Sequence, residues 1–393
     1  MADHESGAGT KSVWAGEHRA GGGDPTQVPV VHSVSYGYGD VDDWLAVATG
    51  EQSGHIYGRN SNPTVSIFEE KVRVLEGGEA ATSSSTGMGA ISNSLYALLA
   101  PGKRVVSVKD TYGGTNKVFA EFLPHYGVEV ELCETSDHDA IEAAIGRGCD
   151  LLYLETPTNP TLKILDLARL VAAGQEAGGI VMVDNTVATP INQNPLALGA
   201  DLVVHSATKF LGGHADALGG VVVGTKDLIG RIYRYREING ATLDPMSAYL
   251  LLRGMKTLHL RIERQNANAQ AVADHLASHP AVSVVNYPGN PQHPGHATAR
   301  SQMRGFGGML SFGLVGEFEA VRKFVPGLRY AHAAANLGSV ETVIGPPATS
   351  SHVELTADER AALGIPEGLI RYSAGIEDID DLIADLDQAL AGI

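Results

Sequence analysis

Val181-Met182-Val183-Asp184-Asn185 and Leu202-Val203-Val204-His205-Ser206-Ala207-Thr208-Lys209 decide the fold. A carboxylate closes the first apolar run, and a lysine follows the second. Strands buried on both faces read as continuous apolar runs like these, not as alternating ones. Working outward, similar short runs at 104–108, 128–133, 151–155 and 220–223 join 180–184 and 202–205 as expected strands. Helical patterns at 116–126, 137–144 and 165–177 lie between them. That alternation predicts an α/β chain with a mostly parallel sheet covered by helices. Ligands of such sheets bind beyond the carboxyl ends of the strands. Glu155, Asp184 and Lys209 all fall at or just past such ends, so three segments converge on one crevice.

These residue types suit pyridoxal 5'-phosphate (PLP). A lysine amine condenses with its aldehyde, and an aspartate at the pyridine nitrogen keeps that nitrogen protonated, so the ring takes up electrons. Ser206 and Thr208, on the approach to Lys209, carry hydroxyls suited to a phosphate. A strand-end aspartate or an exposed lysine is common in any α/β protein, and only the combination carries weight.

The composition leaves room for such an enzyme. The 393 residues are 44% hydrophobic, enough for a large core divided between two domains and an arm. Forty-five acidic residues against 28 basic ones give a net charge of −17, which disfavours nucleic acid and anionic membranes as partners. No apolar run approaches the roughly 20 residues of a membrane span. The start, MADHESGAGTK, has no hydrophobic signal core, and the chain reads as cytoplasmic. Cys133 and Cys149 lie in or beside apolar segments, which favours buried free thiols over a disulfide. His205, His214 and Asp216 flank the lysine without a second cluster, so no metal is expected. Arg253 and Arg261, on an expected helix, read as ion-pair partners.

Ser83-Ser84-Ser85-Thr86-Gly87-Met88-Gly89 precedes a helical run at 90–99. Small residues at a helix start leave backbone N–H groups free to face an anion. Alone, the string reads more readily as a plain N-cap with a glycine turn. It lacks the Gly-Lys-Ser/Thr of a phosphate loop and the third glycine of a dinucleotide fingerprint.

Seven motifs then appear in order: YGRNSNPT (57–64), SSSTGMGAI (83–91), DTYGGT (110–115), ETPTNPT (155–161), VDNTVATP (183–190), HSATKFLGGHAD (205–216) and LRGMKTLHLR (252–261). From about Val13 to near the C-terminus, the chain resembles the Cys/Met-metabolism (trans-sulfuration) family of fold-type I PLP enzymes. The resemblance implies that Lys209 is the lysine that bonds the cofactor and moves protons, with Asp184 at the pyridine nitrogen. It places Tyr112 over the ring as an acid or base, and Gly87, Met88, Ser206 and Thr208 around the phosphate. Tyr57 and Arg59 match residues that reach the phosphate from a neighbouring subunit. Asn159 matches the side chain near the phenolic oxygen, and Arg371 the clamp on the substrate carboxylate, for which a guanidinium fork is suited.

The expected organisation is an N-terminal arm (1–60) serving a neighbouring subunit, a PLP-binding domain (61–250) and a smaller C-terminal α+β domain (251–393). The last comprises a long helical stretch through His275, strands at 282–287 and 308–314, and a terminal helix after Glu377. An arm that serves another subunit requires an oligomer, and the family is usually a homotetramer built from catalytic dimers.

The resemblance implies removal of α- and β-protons and loss of a γ-substituent from a sulfur amino acid. Ala335 and Asn336 precede Leu337-Gly338 where cystathionine-handling members resemble Glu-Ser-Leu-Gly, so a partner for cystathionine's distal ammonium is missing. Arg236-Glu237 stands where methionine γ-lyases resemble Lys-Asp, a charged pair near the entrance. Gly114 replaces the cysteine typical of those lyases, and Asn336 resembles the sulfhydrylases. The expected activity is methionine γ-lyase-type elimination. The alternatives are O-acetylhomoserine sulfhydrylase or cystathionine γ-synthase replacement, and cystathionine γ-lyase. A non-catalytic scaffold is the alternative from another class; a purified protein that gains no visible absorbance with PLP would support it.

Overall fold

The computed structural model describes residues 6–18, 20–351, 353 and 356–393, with Glu359 and Ala362 as backbone only. The first five residues of the MADHESGAGTK start therefore lie outside the described residues.

Seven strands form the larger sheet: β1 (Ala80–Ser84), β2 (Arg104–Val108), β3 (Glu129–Cys133), β4 (Leu151–Glu155), β5 (Ile180–Asp184), β6 (Leu202–Ser206) and β7 (Gly220–Gly224). Their spatial order is β1-β7-β6-β5-β4-β2-β3. Strands β3, β2, β4, β5 and β6 run parallel, and β7 is antiparallel to both of its neighbours. The continuous apolar runs have their cause in two covered faces. Ile91 and Leu95, from the helix Gly87–Leu98, pack with Tyr153, Met182, Val204 and Val222 on one face. Ile141 and Leu170, from the helices His138–Gly146 and Leu167–Glu176, pack with Val106, Leu152 and Val183 on the other. Those three helices start on side-chain caps: Thr86, Asp137 and Asp166 each accept a backbone N–H of the first turn.

One strand goes unannounced, and one expected helix needs correction. Strand β1, Ala-Ala-Thr-Ser-Ser, has no apolar run to announce it and exists through pairing with β7. The helix expected at 116–126 is instead a short helix Gly113–Lys117, a π-helical turn Val118–Phe122 and a further turn Leu123–His125. Pro124, without an N–H and with a ring that crowds the preceding turn, interrupts the regular ladder there.

The smaller sheet contains β8 (Val282–Asn286), β9 (Met309–Leu314), β10 (Ala331–Ala333), β11 (Thr342–Gly345) and β12 (Leu369–Ser373), in the order β10-β11-β12-β9-β8. Only β8 and β9 are foreshadowed by sequence pattern. Central β12 is wholly buried despite the arginine at its middle. The helix Leu258–Leu276 joins the two cores: Leu258 and Ile262 belong to the first, and Ala269, Val272 and Leu276 to the second.

The N-terminal segment is anchored at a few points. Lys71 is fully buried and donates to the carbonyls of Ser12 (3.0 Å) and Val13 (2.9 Å) at the end of the helix Ala8–Trp14. Its charge is met by Glu17 at 3.0 Å, which also binds Lys256 at 2.7 Å. The helix Val41–Thr49, capped by Asp40, buries none of its residues, and Trp44 and Leu45 stand exposed. Among the described residues, no helix is long and apolar enough to cross a membrane. Cys133 and Cys149 are both buried free thiols.

Candidate active site

Lys209 lies just past β6 on a tightly bonded loop. Its N–H donates to the Ser206 carbonyl, and its carbonyl accepts from Gly213, whose φ of +71° favours glycine. Arg261, expected to form ion pairs, instead donates to the carbonyls of Phe210 (2.8 Å), Leu211 (3.0 Å) and Gly254 (3.0 Å). Buried carbonyls need donors, and one guanidinium satisfies three, which stiffens the lysine loop. The Lys209 amine donates to Asn336 Oδ1 at 2.8 Å. Burial, reinforced by the nearby Arg371 charge, lowers its pKa to about 8.

Asp184 and Glu155 are register partners at the ends of β5 and β4. Asp184 accepts from the Thr186 N–H (3.0 Å) and the Tyr153 hydroxyl (3.1 Å), while Glu155 accepts from the Tyr112 N–H (2.8 Å). Burial raises both pKa values, and the Asp184 charge raises that of Glu155 further. A cation beside Asp184 would offset that burial.

Opposite them, the helix Gly87–Leu98 points its N-terminus into the crevice. Thr86 Oγ1 accepts from Gly89 (2.9 Å), while Gly87 and Met88, at the first two helical positions, have no intrahelical acceptor for their N–H groups. A Cβ on Gly87 would stand 2.6 Å from the Ser206 Cβ, so glycine is what lets the two loops meet. Thr208 holds its place through Gly219, accepting the N–H at 3.0 Å and donating to the carbonyl at 3.3 Å. The arrangement is an anion cradle beside an amine.

Arg371 reaches the same space from β12 and is only 4% exposed. Its Nη2 donates to the Asn336 carbonyl (2.8 Å), Nη1 lies 3.5 Å from Asn159 Oδ1, and buried Nε has no partner. Burial lowers its pKa to about 10. A bound carboxylate would meet both the orphaned donor and the charge. The Tyr112 ring borders the crevice, and a Cβ on Gly114 would press on it at 2.9 Å and on Met88 Sδ at 3.1 Å.

One cavity of about 290 Å³ is lined by Lys209, Asp184, Tyr112, Gly87, Met88, Asn159, Ser206, Thr208, Arg371, Ala335 and Asn336. Tyr57 and Arg59 do not line it. Tyr57 is exposed, and the Arg59 guanidinium lies 5.3 Å from the centre of its ring. Arg236 and Glu237 are likewise away from this chain's crevice: Arg236 is buried and donates to the Asn60 carbonyl (2.8 Å), and Glu237 accepts from the Asn60 amide. The pair therefore grips the arm one residue beyond Arg59. His205 faces buried Glu76 at 2.6 Å, not His214 or Asp216. Sequence reasoning missed Tyr153 and Glu76; a phenol two residues before Glu155 in an otherwise aliphatic run was the available signal for the first.

A nucleophilic amine, a buried carboxylate that calls for a cation, and a helix-end cradle for phosphate fit PLP. The chain belongs to the Cys/Met metabolism PLP-dependent enzyme family, whose sequence pattern matches residues 9–391. It is 42% identical to L-methionine gamma-lyase of Pseudomonas putida, across 98% of this chain and 97% of that one. It is 44% identical to cystathionine gamma-lyase of Bacillus subtilis (strain 168), across 88% and 90%. Cystathionine gamma synthase from Xanthomonas oryzae pv. oryzae, solved with aminoacrylate and cysteine, superposes with a TM-score of 0.93 at 38% identity over 99% of this chain and 98% of that one. The architecture is that of a fold-type I PLP enzyme, with a mostly parallel sheet and a smaller C-terminal sheet domain.

Proposed function

We propose that the protein is a PLP-dependent carbon–sulfur lyase that converts L-methionine and water into methanethiol, ammonia and 2-oxobutyrate. The carrying observation is the crevice wall at Ala335 and Leu337, which offers a methyl thioether an apolar surface and no carboxylate for a second ammonium. Similarity to the Pseudomonas putida lyase supports the same choice.

The roles follow from position. Arg371 holds the α-carboxylate through its free donor edge. PLP, when bound, supplies an aldehyde that captures amines and a ring that accepts an electron pair. Asp184 would keep the ring nitrogen charged, and Gly87, Met88, Ser206 and Thr208 would hold the phosphate. The Lys209 amine, once released from the cofactor, would take the α-proton and carry it along the substrate; its lowered pKa of about 8 favours the neutral base, and Asn336 Oδ1 lies 2.8 Å away to hold it when free. Tyr112, which borders the crevice, would bear on the ring face and relay a proton near the sulfur. Asn159, 3.5 Å from Arg371 Nη1, would face the phenolic oxygen.

The same reading divides the chain into an arm (1–60), a PLP-binding domain (61–250) and a C-terminal domain (251–393). Tyr57 and Arg59 complete the phosphate site of a partner, in a homotetramer of catalytic dimers in the cytoplasm. A second reading, γ-replacement as in sulfhydrylases or cystathionine γ-synthases, is favoured by Asn336 in place of serine. Methanethiol and 2-oxobutyrate released from methionine, measured beside turnover of cystathionine and of O-acetylhomoserine with sulfide, separate the readings. Faster sulfide-dependent replacement than methionine cleavage would overturn the first.

A further inference from the structure

Tyr153 stands at the middle of β4, fully buried, with its ring edge-on to Phe119 at a centroid distance of 5.3 Å. Its hydroxyl donates to Asp184 Oδ2 at 3.1 Å, while Oδ1 takes the Thr186 N–H at 3.0 Å. Thr115, three residues beyond Tyr112, lies against the same hydroxyl. A buried phenol needs some acceptor, and a backbone carbonyl would serve that need. The acceptor here is the carboxylate that must stay ionised beside the ring nitrogen.

Burial drives Asp184 toward its neutral form, and a donor to the anion opposes that drive. Charge-assisted bonds of this kind are about twice as strong as neutral ones. We propose that Tyr153 is a positioning residue, whose hydroxyl holds Asp184 as an aimed anion and so keeps the proton on the cofactor's ring nitrogen. The inference rests on Asp184 being the partner of that nitrogen. Without the hydroxyl, the carboxylate becomes more basic, the shared proton moves toward oxygen, and the ring accepts electrons less readily.

Tyr153→Phe keeps the ring packed on Phe119 and removes only the donor. In holoenzyme loaded with PLP carrying nitrogen-15 in the ring, its nitrogen resonance moves from the protonated toward the neutral position. The kcat for methionine falls about tenfold while KM stays within about twofold, as expected for one bond to a charged group. With the PLP analogue that has carbon in place of the ring nitrogen, variant and wild type have equal residual rates. Placing 3-fluorotyrosine at 153 keeps the shape and strengthens the donor, so the resonance moves the other way; this variant decides the matter if Tyr153→Phe does not fold. An unmoved resonance in both, or a kcat loss that persists with the carbon analogue, overturns the role of Tyr153. Asp184→Asn is the separate control: if it leaves the nitrogen protonated, the assignment of Asp184 fails instead.

Discussion

In the crevice, Lys209, Asp184 and Arg371 each find partners on a different strand or loop of the same chain. In the arm, Tyr57 and Arg59 lie against each other at the surface, and the neighbouring helix Val41–Thr49 buries none of its residues. Both regions carry family motifs of similar clarity. The difference teaches that a motif is completed where its buried surface is, and within one chain the arm's surface stays open; the proposed dimer would cover it. Arg236 and Glu237, bonded to Asn60, hold that arm in place rather than lining the crevice of their own chain.

Lys209→Ala breaks the crevice side with the largest effect. Turnover falls at least about a thousandfold, because among the described residues no other amine lines the cavity to move the proton. Circular dichroism stays native and the visible absorbance of lysine-bound PLP disappears; retained activity would assign the lysine wrongly.

Arg59→Ala breaks the arm side. PLP is retained on the order of tenfold less tightly, since a charge-assisted phosphate contact is lost. At a PLP concentration low enough to leave Arg59→Ala largely empty, mixing it with Lys209→Ala, under conditions where subunits exchange, restores about a quarter of wild-type activity, because half the dimers are mixed and one of their two sites is whole. No gain over the separate variants would return the arm residues to their own chain.

Ala335→Glu sharpens the contrast within the crevice wall. A carboxylate there shifts the ratio of kcat/KM for cystathionine over methionine upward by on the order of 1–3 kcal/mol, as for one charge-assisted contact. An unchanged ratio would move the selector elsewhere.

A further effect is a pH dependence confined to the crevice. Below about pH 8 the Lys209 amine is an ammonium ion and cannot attack an aldehyde; above it the amine is free. At pH 7 roughly one-tenth is neutral, against about one in 3,000 for an ordinary lysine. Stopped-flow capture of PLP by apoprotein therefore gains about tenfold from pH 7 to 9 and levels off. A rate that keeps climbing through pH 10 would mean an exposed amine.

Much of the site was legible because its residues sit at the ends of apolar runs. Asp184 and Lys209 follow strands whose bounds the pattern locates to within a residue, and Gly87 and Met88 follow a recognisable helix start. Arg371 was placed by motif alone; its strand was not foreseen, since an arginine at the centre of five residues breaks the apolar signal. Arg261 was misread because a charged residue on a helix usually faces a carboxylate, whereas here three loop carbonyls claim it.

By itself the sequence determined the parallel sheet, the order of its helices and the identity of the groups at the strand ends. These depend on local periodicity and on which residue types tolerate burial. Only the tertiary structure decided that Glu155 lies beside Asp184, that Tyr153 donates to it, that Asn336 holds the lysine amine and that Arg236 and Glu237 grip Asn60 instead of lining the crevice. Each is a contact between residues distant in the chain, or the absence of one, set by strand register and by how the two cores meet; periodicity carries no information about either.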